Sequence, residues 1–209
     1  MSHLIAAAVL ELFVLCIWIL SLLRARFDFQ PQADPESVLG ARRVRDFVQP
    51  LRLAGFEPLG VATERVGLVR SRMAVYANGG LGIYALLYPM GVDTGLQLLS
   101  LFDGGGLVVT QRGYFVRERR EPNLIARGLA GRLGVDELLA AHRADRGEIE
   151  RRGQAALPAT AACLPPLIER EERSSYERAR RRQARIGSSV VLAITTALLA
   201  WVLWSRLGS

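Results

Sequence analysis

Long apolar runs stand at both ends of the chain, at residues 4–23, where Glu11 is the one charged side chain, and at 186–204, and the pattern between them is periodic. At about 1.5 Å of helical rise per residue, either run is long enough to cross a bilayer core of about 30 Å. The pattern therefore predicts a transmembrane helix at 4–23 and a second at 186–204. No Lys or Arg precedes the first run, and Arg24-Ala25-Arg26 closes it. It reads as an uncleaved anchor rather than a signal peptide, which wants a basic start, a shorter apolar core and a small-residue cleavage site.

The middle of the chain changes period twice. After a short linker at 27–35, Asp34-Pro35-Glu36 combines an N-cap, a first-turn proline and an early acid, a helix start. Val38, Leu39, Val44, Phe47, Val48 and Leu51 then recur at helical spacing until Pro50 and Gly55 close the region. From Phe56 onward, runs at 59–64, 68–77, 81–88, 96–102 and 107–116 are β-rich and separated by turn residues. Asn78-Gly79 and Asp103-Gly104 between apolar runs predict two-residue hairpin turns with positive φ at both centres. The expectation is an antiparallel sheet of about five strands, with 81–88 and 96–102 central because both their faces are apolar. Residues 117–121 read as a charged exit and 124–133 as a short helix weakened by glycines. Residues 137–152 read as a firmer helix capped by Asp136, with Leu138, Leu139 and Ile149 inward. An Ala/Pro-rich linker follows, and Pro166 opens a helix predicted to run unbroken through 186–204. Glu169/Arg173 and Glu177/Arg181 support it as i,i+4 pairs.

The predicted fold is thus α+β: residues 24–165 form the sheet domain with flanking helices, 166–185 a basic juxtamembrane helix, and 4–23 and 186–204 its two tethers. Charge sets the expected orientation. Every basic side chain is arginine, and the formal net charge is +7. Arg178, Arg180, Arg181, Arg182 and Arg185 form a collar at the membrane face of the last run. The positive-inside rule then places the domain in the cytoplasm and both termini outside, in a cell inner membrane. The same collar suits anionic lipid headgroups. Nucleic acid is disfavoured as a partner, since no aromatic stacking platform accompanies the arginines. Glu11 is an acid inside an apolar run, which is costly at membrane depth. By depth it matches Thr195 and Thr196 on the opposite run, and an intramembrane contact among the three, or with another membrane subunit, is expected.

Candidate chemistry is sparse. Asp103-Gly104-Gly105-Gly106 has the glycines of a phosphate loop but lies between two strand-like runs, without the GK[ST] or G-x-G-x-x-G spacing. His142 with Asp145 at i+3 could form a base or one edge of a metal site, yet no second histidine or cysteine completes a ligand set. Cys16 and Cys163 make neither a disulfide framework nor a zinc pattern. No catalytic residue, metal or cofactor is expected. The leading expectation is a non-enzymatic accessory, assembly or scaffold subunit of a larger inner-membrane complex. The alternative is a membrane-bound enzyme or small-ligand sensor with a site built from the sheet and the loops at Asp93 and Asp103. A deep pocket with convergent polar groups would favour the second, and a flat sheet face the first.

Phe56-Glu57-Pro58-Leu59-Gly60, Phe102-Asp103-Gly104 followed by Leu107 and Thr110, and Leu138-Leu139 with His142-Arg143 carry a resemblance. Between Gly55 and Arg143 the chain resembles uncharacterised bacterial membrane-anchored proteins with GF-x-PLG, F-x-DG-x-x-L-x-T and L-x-x-x-HR motifs. The second motif here has an extra glycine. The resemblance implies a folded domain behind an apolar N-terminus and assigns no activity or site.

Overall fold

The computed structural model describes residues 26–66, 69–90, 93–112, 118–129, 133–179, 181–182 and scattered positions in the two terminal runs. Its centre is an eight-stranded mixed sheet: β1 (Arg26–Gln30), β2 (Glu57–Val66), β3 (Val69–Asn78), β4 (Ile83–Met90), β5 (Asp93–Leu101), β6 (Leu107–Arg112), β7 (Arg119–Glu121) and β8 (Leu124–Leu129). The spatial order is β1-β2-β3-β4-β5-β6-β8-β7. The class is α+β as expected, but the five-stranded antiparallel sheet is corrected. β2 to β6 form the expected meander, and three further strands extend it. β1 pairs antiparallel with β2, β8 runs parallel to β6, and β7 returns antiparallel on β8.

Two of the three additions have a physical reason that is visible in their residues. In β1, Phe27 and Phe29 alternate with Asp28 and Gln30, so one face packs on the core while the other stays polar. In β8, read from sequence as a weak helix, Leu124, Ile125 and Ala126 are buried on both faces, as befits a parallel strand covered on both sides.

Helices cover both sheet faces. On one side lie α1 and α2. The first is made of an α turn (Ala41–Arg43), a π segment (Val44–Val48) and a second α turn (Gln49–Leu53); the second is Val135–Arg151. Asp34 does cap a helix, but a short 3-10 turn, Pro35–Val38. The π segment sits just before Pro50, which has no N–H to return to the carbonyl one turn back. Val48, Leu51, Val135, Leu138 and Leu139 pack on Ala74, Tyr76, Ala85, Leu87 and Leu98. On the opposite face lies α3 (Leu164–Glu172), whose Leu164, Leu167 and Ile168 share a core with Val75, Leu86, Leu99 and Val109. Tyr176, beyond α3, is fully buried in the same core.

The connections correct two further expectations. β3 pairs to Asn78↔Ile83, so its hairpin loop has four residues, and the positive φ falls on Gly82 (64°) rather than Gly79. The β5–β6 connection spans 102–106 with its positive φ at Gly105 (74°). The unbroken rod from 166 onward is also overturned. Helix α3 closes at Arg173, and a new helical stretch at 175–179 is capped by Ser174, whose Oγ accepts from the Glu177 N–H at 3.1 Å.

Most of residues 4–23 and 186–204 lie outside the described residues. Leu12, Leu15, Ile186, Ser189, Val190, Ala193, Ile194, Thr196, Ala197 and Trp201 are the ones described. Among the described residues no helix is long and apolar enough to cross a membrane. The two transmembrane helices, and with them the two-pass inner-membrane placement with a cytoplasmic domain, are corrected accordingly. A hydropathy run counts residues, whereas crossing demands one continuous helix, and none of that length is described.

Candidate functional site

Strands β5 and β6 send polar side chains to both faces of the sheet, and the two faces treat them differently. On the α2 side, Ser100 and Thr110 are fully buried and flank His142. His142 Nε2 lies 3.0 Å from Ser100 Oγ, and Nδ1 lies 2.9 Å from Thr110 Oγ1. The Ser100 hydroxyl donates to the Gly82 carbonyl at 2.9 Å. That bond uses its only proton, so Ser100 accepts from His142 Nε2–H, and bare Nδ1 accepts from the Thr110 hydroxyl. Every partner in this triad is satisfied. Burial, with smaller contributions from Arg146 and Arg127, pulls the imidazole down to about 3, so it stays neutral. A nucleophile–base pair needs the opposite polarity, with serine donating to an imidazole nitrogen, and it needs access. This cluster fastens α2 to the sheet.

Asp145, three residues on, does not join His142. It turns to Arg127 (Nε to Oδ2, 2.7 Å) and Arg120 (3.3 Å). Burial raises its carboxyl above the usual range against the pull of both arginines. The glycine loop is equally committed. Gly104 N donates to Asp103 Oδ1, Gly105 N to the Phe102 carbonyl and Gly106 N to Gln154 Oε1. Amides already used in this way do not cradle a phosphate. Asp103 Oδ1 also accepts from Ala155 N at 3.0 Å, docking the linker onto the hairpin. Asp93 and Asp103 sit at opposite ends of β5, about 30 Å apart by strand rise, so their loops cannot build one site.

The α3 face differs. Gln97 and Gln111 are register partners on β5 and β6, and both are buried, at 8% and 2% exposure. Tyr176 donates to Gln111 Oε1 at 3.3 Å, Gln111 Nε2 donates to Tyr88, and Gln97 donates to Glu171. Above them the end of α3 and the Ser174-capped turn leave a cavity of about 230 Å³. Phe27, Met73, Leu86 and Ile168 give it apolar walls. Gln97, Gln111, Tyr88 and Ser71 line it with neutral polar groups. Its charged members are Glu64, Glu171, Glu172, Glu177 and Arg181. Glu177, 3% exposed, holds Arg181 at 2.8 Å. The chemistry on offer is recognition: apolar wall residues, amides that fix orientation and carboxylates at the rim.

Of the residues singled out from sequence, Arg181 and its i,i+4 partner Glu177 line this cavity. Arg178 is exposed and donates to the Arg173 carbonyl at 2.8 Å, and Arg182 is exposed. Thr196 is helical and exposed. Glu11, Thr195, Arg180 and Arg185 lie outside the described residues, so the expected Glu11–threonine contact lies there too. Among the described residues no cluster of His, Cys, Asp or Glu has the makings of a metal site. Gln97, Gln111, Tyr88 and Tyr176 were not legible as a group, because the register that joins them is a product of the sheet. Ser174-x-x-Glu177, a capping signature, was the one local signal that the helix breaks where the cavity opens.

No protein-family model, curated protein or solved structure matches this chain.

Proposed function

We propose that the domain is a binding module for a small molecule, seated between the sheet and the end of α3. The observation that carries this reading is the 230 Å³ cavity with buried Gln97 and Gln111 converging on it. Each amide nitrogen carries two N–H groups, and one of each is tied down, Gln97 by Glu171 and Gln111 by Tyr88, which fixes how the amides face the cavity. The expected accessory or scaffold role draws support from the lack of a recognised catalytic constellation in the sequence. It gains no flat sheet face here, since helices cover both sides.

A thermal-shift screen of the full chain against fragment-sized compounds tests the proposal. Stabilising hits are expected, because a ligand at 100 times its Kd adds about 2.7 kcal/mol. Ser71→Trp, at a half-buried position lining the cavity, should abolish them while leaving the unliganded fold intact. Hits that survive in a folded Ser71→Trp protein, or a screen without hits, would contradict it.

A further inference from the structure

A second opening lies on another flank of α3, and its chemistry is basic. It encloses about 400 Å³ between the β7–β8 turn, the end of α3 and the turn that follows. Arg170 and Arg173 enter from the end of α3, and Arg178 enters from the helical stretch after Ser174. Two of these guanidinium groups are held by neutral partners. Arg170 Nη2 donates to the Gly105 carbonyl at 2.8 Å, and Arg178 Nη1 donates to the Arg173 carbonyl at 2.8 Å. A guanidinium carries five N–H donors. One bond to a carbonyl therefore fixes its direction and leaves most of its donors, and all of its charge, in place. Arg173 pairs with Glu169. The one acid in the lining is Glu121, which accepts from Ser175 and lies 4.0 Å from an arginine of its own, Arg119. Among the described residues no carboxylate pairs with Arg170 or Arg178. Asn123 accepts from Gln154 at its Oδ1 at 2.8 Å, so its amide N–H groups remain to donate. Buried Leu107 and Leu124 supply an apolar wall.

We infer that this opening binds a phosphomonoester, with its phosphoryl oxygens on Arg170 and Arg178, Asn123 beside them, and its organic part on Leu107 and Leu124. Donors brought from separate elements suit a tetrahedral group with three terminal oxygens, whereas one guanidinium fork already matches a planar carboxylate. The volume lies within the range of small-molecule clefts, about 300–1,000 Å³. No residue lines both this opening and the cavity beside Gln97 and Gln111, so the inference stands apart from the binding reading above.

Phenyl phosphate and benzoate, titrated into the full chain by calorimetry in a phosphate-free buffer of low ionic strength, supply the test. Phenyl phosphate is expected to bind saturably, and benzoate about tenfold more weakly. Arg170→Gln/Arg178→Gln, at two exposed positions, should lower the affinity for phenyl phosphate about tenfold or more with an unchanged thermal melt. Arg143→Gln/Arg151→Gln removes the same charge from exposed positions of α2 and should change that affinity by less than about twofold. Ser71→Trp should bind phenyl phosphate as the parent does, and the fragment screen is run without phosphate compounds, so the two sites are read separately. Displacement by glycerol phosphate would place the phosphate on a soluble ligand. Displacement only by vesicles of phosphatidic acid in phosphatidylcholine would place it on a lipid headgroup, and either result supports the site. The inference is overturned by absence of saturable binding, by benzoate binding as tightly, by equal losses in the two double variants, by no loss in Arg170→Gln/Arg178→Gln, or by loss in Ser71→Trp.

Discussion

The same two strands carry two polar clusters back to back, and they have opposite fates. Ser100 and Thr110 look toward α2 and are closed by His142 into a triad with every hydrogen bond made. Gln97 and Gln111 look toward α3 and border a cavity rimmed with acids. The difference lies in the covering helices. Helix α2 runs unbroken over Val135–Arg151, so its histidine is delivered to a fixed depth. Helix α3 stops at Glu172, and the chain turns at Ser174 before continuing. A continuous helix seals its polar groups into a closed core, and an interrupted one leaves its hydrogen-bonded amides at the wall of a cavity.

The sharpest way to break this comparison is pH. The folded pKa of His142, about 3, lies below its unfolded value of about 6.5. Its contribution to stability is therefore complete above pH 6.5 and is lost as pH falls toward 3. The loss is about 1.4 kcal/mol per pH unit, or roughly 3 kcal/mol by pH 4. Asp145, whose folded carboxyl is raised, offsets part of this in every variant. Urea titrations across pH should show a shallower acid decline in His142→Gln, whose amide can still meet both hydroxyls. Identical slopes would show that the imidazole is not sealed.

Next comes the direct contrast at pH 7. His142→Leu strips Thr110 of its acceptor in a dry core and should cost about 1–3 kcal/mol. Gln97→Leu, beside the open cavity where Glu171 can rehydrate, should cost under about 1 kcal/mol. Comparable losses in denaturant melts would erase the distinction.

Gly82 tests the connection that serves the sealed side, since its carbonyl receives Ser100. Its φ is +64°, and a Cβ there would fall 2.5 Å from the Leu157 carbonyl, so Gly82→Ala should cost about 1–3 kcal/mol. Gly79→Ala, where a Cβ meets only the Ala159 carbonyl at 3.9 Å, should change stability by under about 0.5 kcal/mol. Ser174→Ala removes a helix cap and should cost about 1 kcal/mol and weaken binding of a screening hit several-fold through the misplaced Glu177, while the acid decline stays as in the parent.

Much of the fold was legible. β2 to β6 were marked by their apolar runs and turn glycines, and α2 by its buried Leu138, Leu139 and Ile149. Thr110 and His142, far apart in sequence, turn out to touch, a contact that no local period or spacing marks. β8 was misread because a short apolar run with glycine suits helix and strand alike, and only its parallel pairing with β6 decides. β1 alternates Phe27 and Phe29 with polar residues, but two apolar positions beside Pro31 suit a linker as well as a strand, and only pairing with β2 decides. The cavity could not be read at all. Gln97, Gln111 and Tyr176 meet only once register and the turn at Ser174 are set. The apolar ends predict two membrane spans on length alone, whereas among the described residues no helix is long and apolar enough to cross a membrane.

Methyl NMR of the full chain titrated with the strongest stabilising compound from the fragment screen tests the central claim most directly. The account predicts saturable shifts at Met73, Leu86 and Ile168, with Leu98, Val108 and Leu138 on the sealed face unmoved. Shifts centred on the sealed face, or no shifts at either, would contradict it.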